Sequence, residues 1–590
     1  MESNIRKSIA FILLLAITST QALVSAQKRP KAKSLTEEQR IVHVLNRLGF
    51  GARPGDVERV KALGLENYIN QQLNPEKIAD SVAENKVRDL SVLNMTTAEL
   101  YEKYPQPGQL LRQLQARGML PENLAEAREN RVKGGVNATP GEMPKDDSMN
   151  ARESNVPTQP PNANPLENEK YREMIEKYYR EKGLQRPQRI IGELQASRIL
   201  RAVYSERQLQ EVMVDFWTNH FNIFANKGAD RWLLPAYDRD TIRPFAMSKF
   251  STLLEATAKS PAMLFYLDNF QSVSPNAGRA NPLRPQRQRR GINENYAREL
   301  MELHTLGVDG GYTQKDVQEV ARCFTGWTIF QPRGGAAAAN ALTGEAGRRN
   351  AGTFFFNARV HDDGEKTVLG HKIPAGGGIK DGLMVLDILT HHPSTAKFIA
   401  IKLVRHFVAD NPPPTLVDRV AATFTKTDGD IRETLKTIFF SNEFNSTEAY
   451  RTKIKRPFEL VISAIRTLGA DTNGGPGTHR WIERMGEPLY GFQTPNGYSD
   501  AAESWVNTGG LLERMNFGLA LASNRIPGVS VNLSKLSTDQ SKVMDDYLKI
   551  LLAGEISAAT RETMLKQLDK SDPVTKVVGL ILGTPEFQRQ

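Results

Sequence analysis

Apolar residues recur at three- and four-residue spacing along most of this chain, and that period predicts helices. From Thr36 to Leu73, the positions Ile41, Val44, Leu45 and Leu48 form one stripe, which Gly49 to Gly55 (GFGARPG) interrupts. Asp56 is placed to cap a following helix through Val57, Val60 and Leu63. Between 121 and 170 the period disappears into Asn, Pro, Glu, Lys and Arg, a stretch too polar to bury a core and read as a disordered insertion. At its end, Glu167 to Lys182 reads as an isolated charged helix. Helical period returns near Arg189, and Leu209, Val212, Met213, Phe216, Trp217, His220 and Phe221 share one face.

Residues 240–267 read as helix broken at Pro244 and Pro261, and residues 379–470 and 508–590 read as helices again. Two further breaks are the Pro- and Arg-rich stretch 271–291 and the Gly- and Ala-rich stretch 331–352. Only 353–373 changes period. There Thr353 to Phe356 and Lys366 to Leu369 flank His361-Asp362-Asp363-Gly364, predicting a β-hairpin closed by an Asp-Gly turn. The fold class that follows is mainly α: one large multi-helix domain with a small β-hairpin and disordered insertions. Its N-terminal helical part covers 27–120, a charged insertion 121–188, and the main helical domain 189–590.

The first 26 residues do not join this scheme. Arg6 and Lys7 precede nine apolar residues, Ile9 to Ile17, and Val24-Ser25-Ala26 offers small side chains where a signal peptidase cuts. This is the pattern of a cleavable secretory signal, and the apolar run is short for a bilayer span. The mature protein is therefore expected in the periplasm or outside the cell, without a transmembrane anchor. The net charge of +10 stays strongly basic after cleavage. The densest basic run, Arg284 to Arg290 (RPQRQRR), lacks interleaved aromatics and reads as a solvated loop, so nucleic acid is not an expected partner. A single Cys, Cys323, permits no intrachain disulfide and sits beside Val320 and Phe324 as a core thiol.

No phosphate loop, dinucleotide fingerprint, His-Glu-x-x-His or Cys-x-x-Cys occurs. Gly497-Tyr498-Ser499-Asp500-Ala501 lacks the final Gly of a nucleophile elbow. Asp428-Gly429-Asp430 and Asp471-Thr472-Asn473 begin like calcium loops but lack the later ligands.

The segment richest in chemistry runs from Asn293, a natural N-cap, to Gly307, a natural helix stop. On a regular helix Tyr296, Ala297, Leu300, Met301, Leu303 and His304 share an apolar face. Glu294, Asn295, Arg298, Glu299 and Glu302 share the other, where Arg298 can bridge Glu294 and Glu302. Three carboxylates around one Arg suit a cation or an acid–base pair, so Glu294, Arg298, Glu299 and Glu302 are candidate catalytic residues in a buried polar site. An exposed salt-bridged ridge is the competing reading. His220 and His304 lie on apolar stripes, either as core residues or as ligands converging on one pocket. With His361 and Asp362 at the expected turn, they are candidate ligands for a divalent metal. Thr313 with Asp316 opens a further helix, Gln314 to Phe324.

Five motifs in order carry a family resemblance: Val42 to Gly51 (VHVLNRLGFG), Phe216 to Phe221 (FWTNHF), Asn293 to Gly307 with Tyr312-Thr313 and Gly326-Trp327, His361-Asp362 through Gly370, and Lys455 to Glu459 with Phe492 to Arg514. Together they resemble the bacterial domain-of-unknown-function-1800 family (DUF1800). One departure is Gly497-Tyr498, where the family pattern has Gly-Trp. The resemblance implies an exported protein with no settled activity, often encoded beside an exported protein resembling sulfatases and phosphatases, which becomes a candidate partner. Two functions stay open. One is a cell-envelope or surface scaffold, favoured by the absence of any complete catalytic motif. The other is a metal-assisted or carboxylate-based hydrolase of an extracellular or envelope polymer.

Overall fold

The computed structural model of the protein describes residues 35–116, 118, 165–276, 291–330, 349–533, 540–569 and 572–590. The expected signal segment 1–26, the basic run 284–290, and the bulk of the 121–170 and 331–352 stretches lie outside the described residues. The fold is mainly α-helical, with three two-stranded sheets among the described residues. No described helix is long and apolar enough to cross a membrane. The chain divides into two compact units, one of residues 1–97, 191–333 and 351–590 and a smaller one of 98–190 and 334–350.

The larger unit has one continuous hydrophobic core, from Ile41 to Phe587. Helix α1 (Glu37–Arg47) starts on a Thr36–Gln39 capping box and buries Ile41, Val44 and Leu45. Helix α2 (Gln188–Tyr204) leads to α3 (Gln208–His220), whose predicted stripe from Leu209 to Phe221 is buried throughout. Glu211 and Asp215 are buried on α3 as well, so this helix is enclosed on more than its apolar face.

Asn293 caps α4 (Glu294–Glu299) by accepting from the Asn295 amide. The helix then widens into a π-helical turn, Leu300–Thr305, in which the Leu306 amide reaches back to the Met301 oxygen at 2.8 Å. Gly307 ends it at φ +83°, as the sequence indicates. The reciprocal Thr313–Asp316 box opens α5 (Gln314–Cys323). Cys323 is fully buried, and desolvation pushes its thiol up to about 12.

The hairpin expected at 353–373 is paired differently. Strand β1 (Trp327–Ile329) pairs antiparallel with β2 (Phe354–Phe356), and β3 (Lys366–Val368) pairs with β4 (His371–Ile373). Leu369 and Gly370, both at positive φ, form the tight turn between β3 and β4. His361-Asp362-Asp363-Gly364 therefore joins two separate ladders instead of closing one. A two-residue turn with left-handed φ fits strand twist, and Asp-Gly within a longer connection has no such advantage.

Helix α6 (Ile379–His391) is followed by α7 (Pro393–Phe407), for which the His392 ring accepts the Ser394 amide. Helix α8 (Pro457–Thr467) is buried along its whole length. Near the C-terminus, α9 (Thr508–Ala522) packs on α10 (Val574–Leu582) where Gly518 faces the Gly579 carbonyl.

In the smaller unit, the charged helix expected in the last third of 121–188 is present and is not isolated. Pro165–Glu181 is a helix, and Ile175 and Tyr179 pack with Leu111. Met174, Ile175, Tyr178 and Tyr179 are spaced one turn apart, enough to bury one side of an otherwise charged helix. The Tyr179 hydroxyl donates to the Pro105 oxygen at 2.6 Å.

Candidate functional site

The carboxylate face of α4 is a partly exposed ridge, not a buried network. Glu294 and Arg298 form a 3.7 Å pair with side chains 36% and 41% exposed. Gln314 of α5 intervenes, donating to Glu294 at 2.7 Å and accepting from Arg298 at 2.8 Å. Arg298 makes no ion pair with Glu302, which instead accepts from the Tyr312 hydroxyl at 3.2 Å. The single-Arg bridge expected from four-residue spacing is thus half formed. The π turn explains this. It winds by less than 100° per residue, so Glu302 falls out of register with Arg298. The same widening brings Thr305 fully inside and leaves Leu303 only half-buried. Burial, with Glu302 nearby, raises the Glu299 carboxyl above its usual range.

His220 and His304 do come together. Their ring centroids are 6.1 Å apart, and His220 Nε2 donates to the His304 main-chain oxygen at 3.1 Å. Both side chains are buried, packed among Trp217, Phe221 and Phe398. Burial, reinforced by the Lys402 ammonium, pulls both imidazoles down, His304 to about 3. His220 Nδ1 and His304 Nε2 are left without hydrogen-bond partners. Each orphaned nitrogen costs roughly 1–3 kcal/mol.

His361 and Asp362 belong to a different cluster. His361 Nδ1 donates to the Thr325 oxygen at 2.8 Å, and Nε2 faces Asp381 Oδ2 at 3.2 Å. Lys366, wholly buried, donates to the same Asp381 oxygen at 2.6 Å. Asp362 is held by Arg322 at 3.0 Å. This Lys–Asp–His clamp ties the β3 strand to α6. The metal set His220, His304, His361 and Asp362 is therefore not one site. Among the described residues, no group of three or more His, Cys, Asp or Glu side chains could hold a metal ion. The expected turn would project His361 and Asp362 into a shared cleft; instead the His361 side chain is fully enclosed against Asp381 and Asp362 is paired with Arg322.

What the tertiary fold adds to the histidine pair is α7 and the loop 492–505. Lys402 is partly buried and its ammonium lies 5.6 Å from the Phe398 ring centre. It has no hydrogen bond or ion pair among the described residues, and desolvation lowers it below the usual lysine range. One turn further on, His406 Nδ1 donates to Asp500 Oδ1 at 3.1 Å, while its Nε2 is engaged by no described residue. Burial by itself would raise Asp500; its bond to His406, with Arg456 and Lys453 nearby, holds it well below the usual carboxylate range. An Asp-oriented imidazole with a free Nε2 is the arrangement of a general base.

The loop carrying Asp500 is clamped onto the end of α3. Asn219 donates to the Tyr498 oxygen at 2.8 Å and accepts its amide at 2.7 Å. Gly497 sits at φ +69°, and a Cβ there would lie 2.2 Å from the Asn219 oxygen, so only glycine permits this approach. Tyr498, where the family pattern has Trp, packs on Phe492 and Trp505 and sends its hydroxyl to the Pro488 oxygen at 2.9 Å. Ser499 is exposed, its hydroxyl accepts the Ala501 amide and its main-chain oxygen accepts the Trp505 indole at 2.8 Å.

These residues rest on a buried ionic network. Asp215 is shared by Arg198 and Arg456, and Arg456 also reaches Glu487 at 2.6 Å. Glu487 in turn accepts the Phe458 amide at 2.8 Å at the start of α8. The network joins α2, α3 and α8, and sets Arg456 near Asp500.

A sequence model described as protein of unknown function (DUF1800) matches residues 43–589. The chain belongs to this family. The match takes in every element of the candidate site, from His220 to Asp500. No curated protein and no solved structure matches the chain. Sequence reasoning found the histidines of this DUF1800 site and missed Lys402, His406 and Asp500. The available signal was the Lys402–His406 spacing of one helical turn on a segment otherwise apolar on that side.

Proposed function

We propose that this DUF1800 protein is an exported envelope or surface protein working as a hydrolase on an envelope or extracellular polymer, with proton transfer at Lys402 and the His406–Asp500 pair. The observation that supports this reading is the unpartnered Lys402 ammonium one turn from an Asp-oriented histidine. A desolvated cation with no direct ion pair, offset only by the Asp500 carboxylate at longer range, opposes folding, and such groups concentrate where chemistry or binding uses them. Proton transfer is favoured over metal assistance because the expected ligands fall into two clusters, and over a carboxylate pair because the α4 ridge faces solvent.

The test is site-resolved acylation of the purified protein across pH, read by mass spectrometry. Lys402 should react at lower pH than the exposed lysines, and Asp500→Asn should shift its profile. Turnover of p-nitrophenyl ester, glycoside and phosphate probes should fall in Lys402→Met and Asp500→Asn while circular dichroism stays unchanged. An ordinary lysine profile at Lys402, together with turnover indifferent to both substitutions, would sink the reading.

A second reading is a scaffold, supported by the partly exposed surplus of carboxylates at Glu294, Glu299 and Glu302. Its candidate partner is an exported sulfatase- or phosphatase-like protein, as the family resemblance implies. Charge reversal at Glu294 and Glu302 should then abolish co-purification of the two.

A further inference from the structure

A cavity of about 300 Å³ opens beside α2, walled by the 84–94 segment, by Ser197 and Arg201, and by the turn carrying Asp238, Arg239 and Arg243. Its polar groups are donors in excess. Ser197 is 1% exposed, and its Oγ, buried on the wall, has no hydrogen-bond partner. Arg201 stands one helical turn further along α2, and its guanidinium makes no hydrogen bond or ion pair among the described residues. Arg243 binds Glu211 at 2.7 Å through Nη1, and its Nε lies 3.6 Å from Asp238, yet its buried Nη2 has no partner.

The acids at hand do not answer these donors. Asp238 faces Arg243 through one oxygen and accepts the Tyr490 hydroxyl at 3.4 Å with the other. Glu84 is exposed on the rim. Arg239 is committed elsewhere: it donates to the Leu93 and Met95 oxygens at 2.8 and 2.9 Å and pairs with Asp240. Those bonds pin the 91–95 segment as a fixed wall. Burial, reinforced by the like charge of Arg243 nearby, weakens Arg201's hold on its proton.

The unbonded Arg201 guanidinium, the spare Arg243 Nη2 and the Ser197 hydroxyl are costly unmet donors on one cavity wall, and a multiply charged oxyanion can satisfy them together. Guanidinium forks match tetrahedral oxyanions bidentately. The volume exceeds that of a bare ion and leaves room for an organic part. We propose that this cavity binds a tetrahedral oxyanion, as free phosphate or sulfate or as the head of a phosphomonoester, through Ser197, Arg201 and Arg243.

The test is calorimetric titration of the full chain with inorganic phosphate, glycerol 3-phosphate and sulfate, with chloride at matched ionic strength as control. Wild type should bind at least one of the three saturably, and the tightest arm identifies the source of the anion. Arg201→Met should weaken that binding about tenfold or more, in line with loss of a charged hydrogen bond. Without ligand, this variant should melt at or above the wild-type temperature, because it removes an unpaired cation. A merely structural arginine would lower the melting temperature instead. Ser197→Ala provides a second, smaller truncation and should weaken the same anion without affecting chloride. Absence of saturable binding in wild type, or equal affinity in Arg201→Met and wild type, would overturn the proposal.

Discussion

The ring of His220 donates from Nε2 to the main-chain oxygen of His304, 3.1 Å away, so a side chain on α3 is fastened to the π-helical turn that follows α4. The bond uses one nitrogen of His220 and none of the His304 ring. Both rings stay neutral because burial and the Lys402 charge oppose protonation.

Acid should therefore unfold this protein through the pair. The folded values lie below the ordinary histidine value near 6.5, so in that window the unfolded chain binds more protons. Stability should be intact above pH 6.5 and fall as pH drops toward 3, where His304 finally titrates in the folded state. Each histidine contributes a slope of about 1.4 kcal/mol per pH unit at most. Urea melts between pH 7 and 4 check this, and His304→Gln should give a shallower dependence than wild type.

Lys402→Met should stabilise the fold while impairing the site. The substitution keeps the stem's contact with Phe398 and removes an unpartnered ammonium. A gain of up to about 1 kcal/mol is expected, read as a higher melting temperature. A clear loss of stability would mean that Lys402 has a structural counter-charge.

Asp215→Asn should be severe. Asp215 is the shared counter-ion of Arg198 and Arg456, all three buried. Removing one charge from a buried network and leaving its partners costs about 3–5 kcal/mol. Denaturant midpoints would show it, and Arg198→Met in the same background should restore part of the loss.

Two neighbouring glycines should behave differently. A Cβ at Gly377 would lie 1.9 Å from Asp381 Oδ1, so Gly377→Ala must displace the carboxylate that holds Lys366 and His361. About 2 kcal/mol or more should be lost. Gly376→Ala meets nothing within 4 Å but needs φ +82°, and should cost only about 1 kcal/mol. Thermal melts of the two variants side by side decide this.

Legibility followed the range of the interactions. The stripes of α1 and α3, the Asn293 and Thr313 caps and the Gly307 stop could be read because each depends on residues within one or two turns. The charged helix reads as isolated in the sequence because its partner, Leu111, lies more than fifty residues away. The pairing of β2 with β1 across a long connection had no local signal, and the Asp-Gly dipeptide offered a misleading one. A regular wheel does not show the π turn, and so it pairs Glu302 with Arg298 and turns Leu303 toward the core.

By itself, then, the sequence determined a mainly helical DUF1800 protein and singled out His220 and His304. Periodic burial and short capping motifs are local, and the family pattern is carried by short runs of residues. Only the tertiary structure decided which polar groups share a site. It separated His361 and Asp362 from the histidine pair and turned Glu294, Arg298 and Glu302 toward solvent. It also brought Lys402, His406 and Asp500 to His220. The physical reason is that desolvation and charge pairing depend on through-space neighbours nearly three hundred residues apart in the chain, and no spacing rule records those.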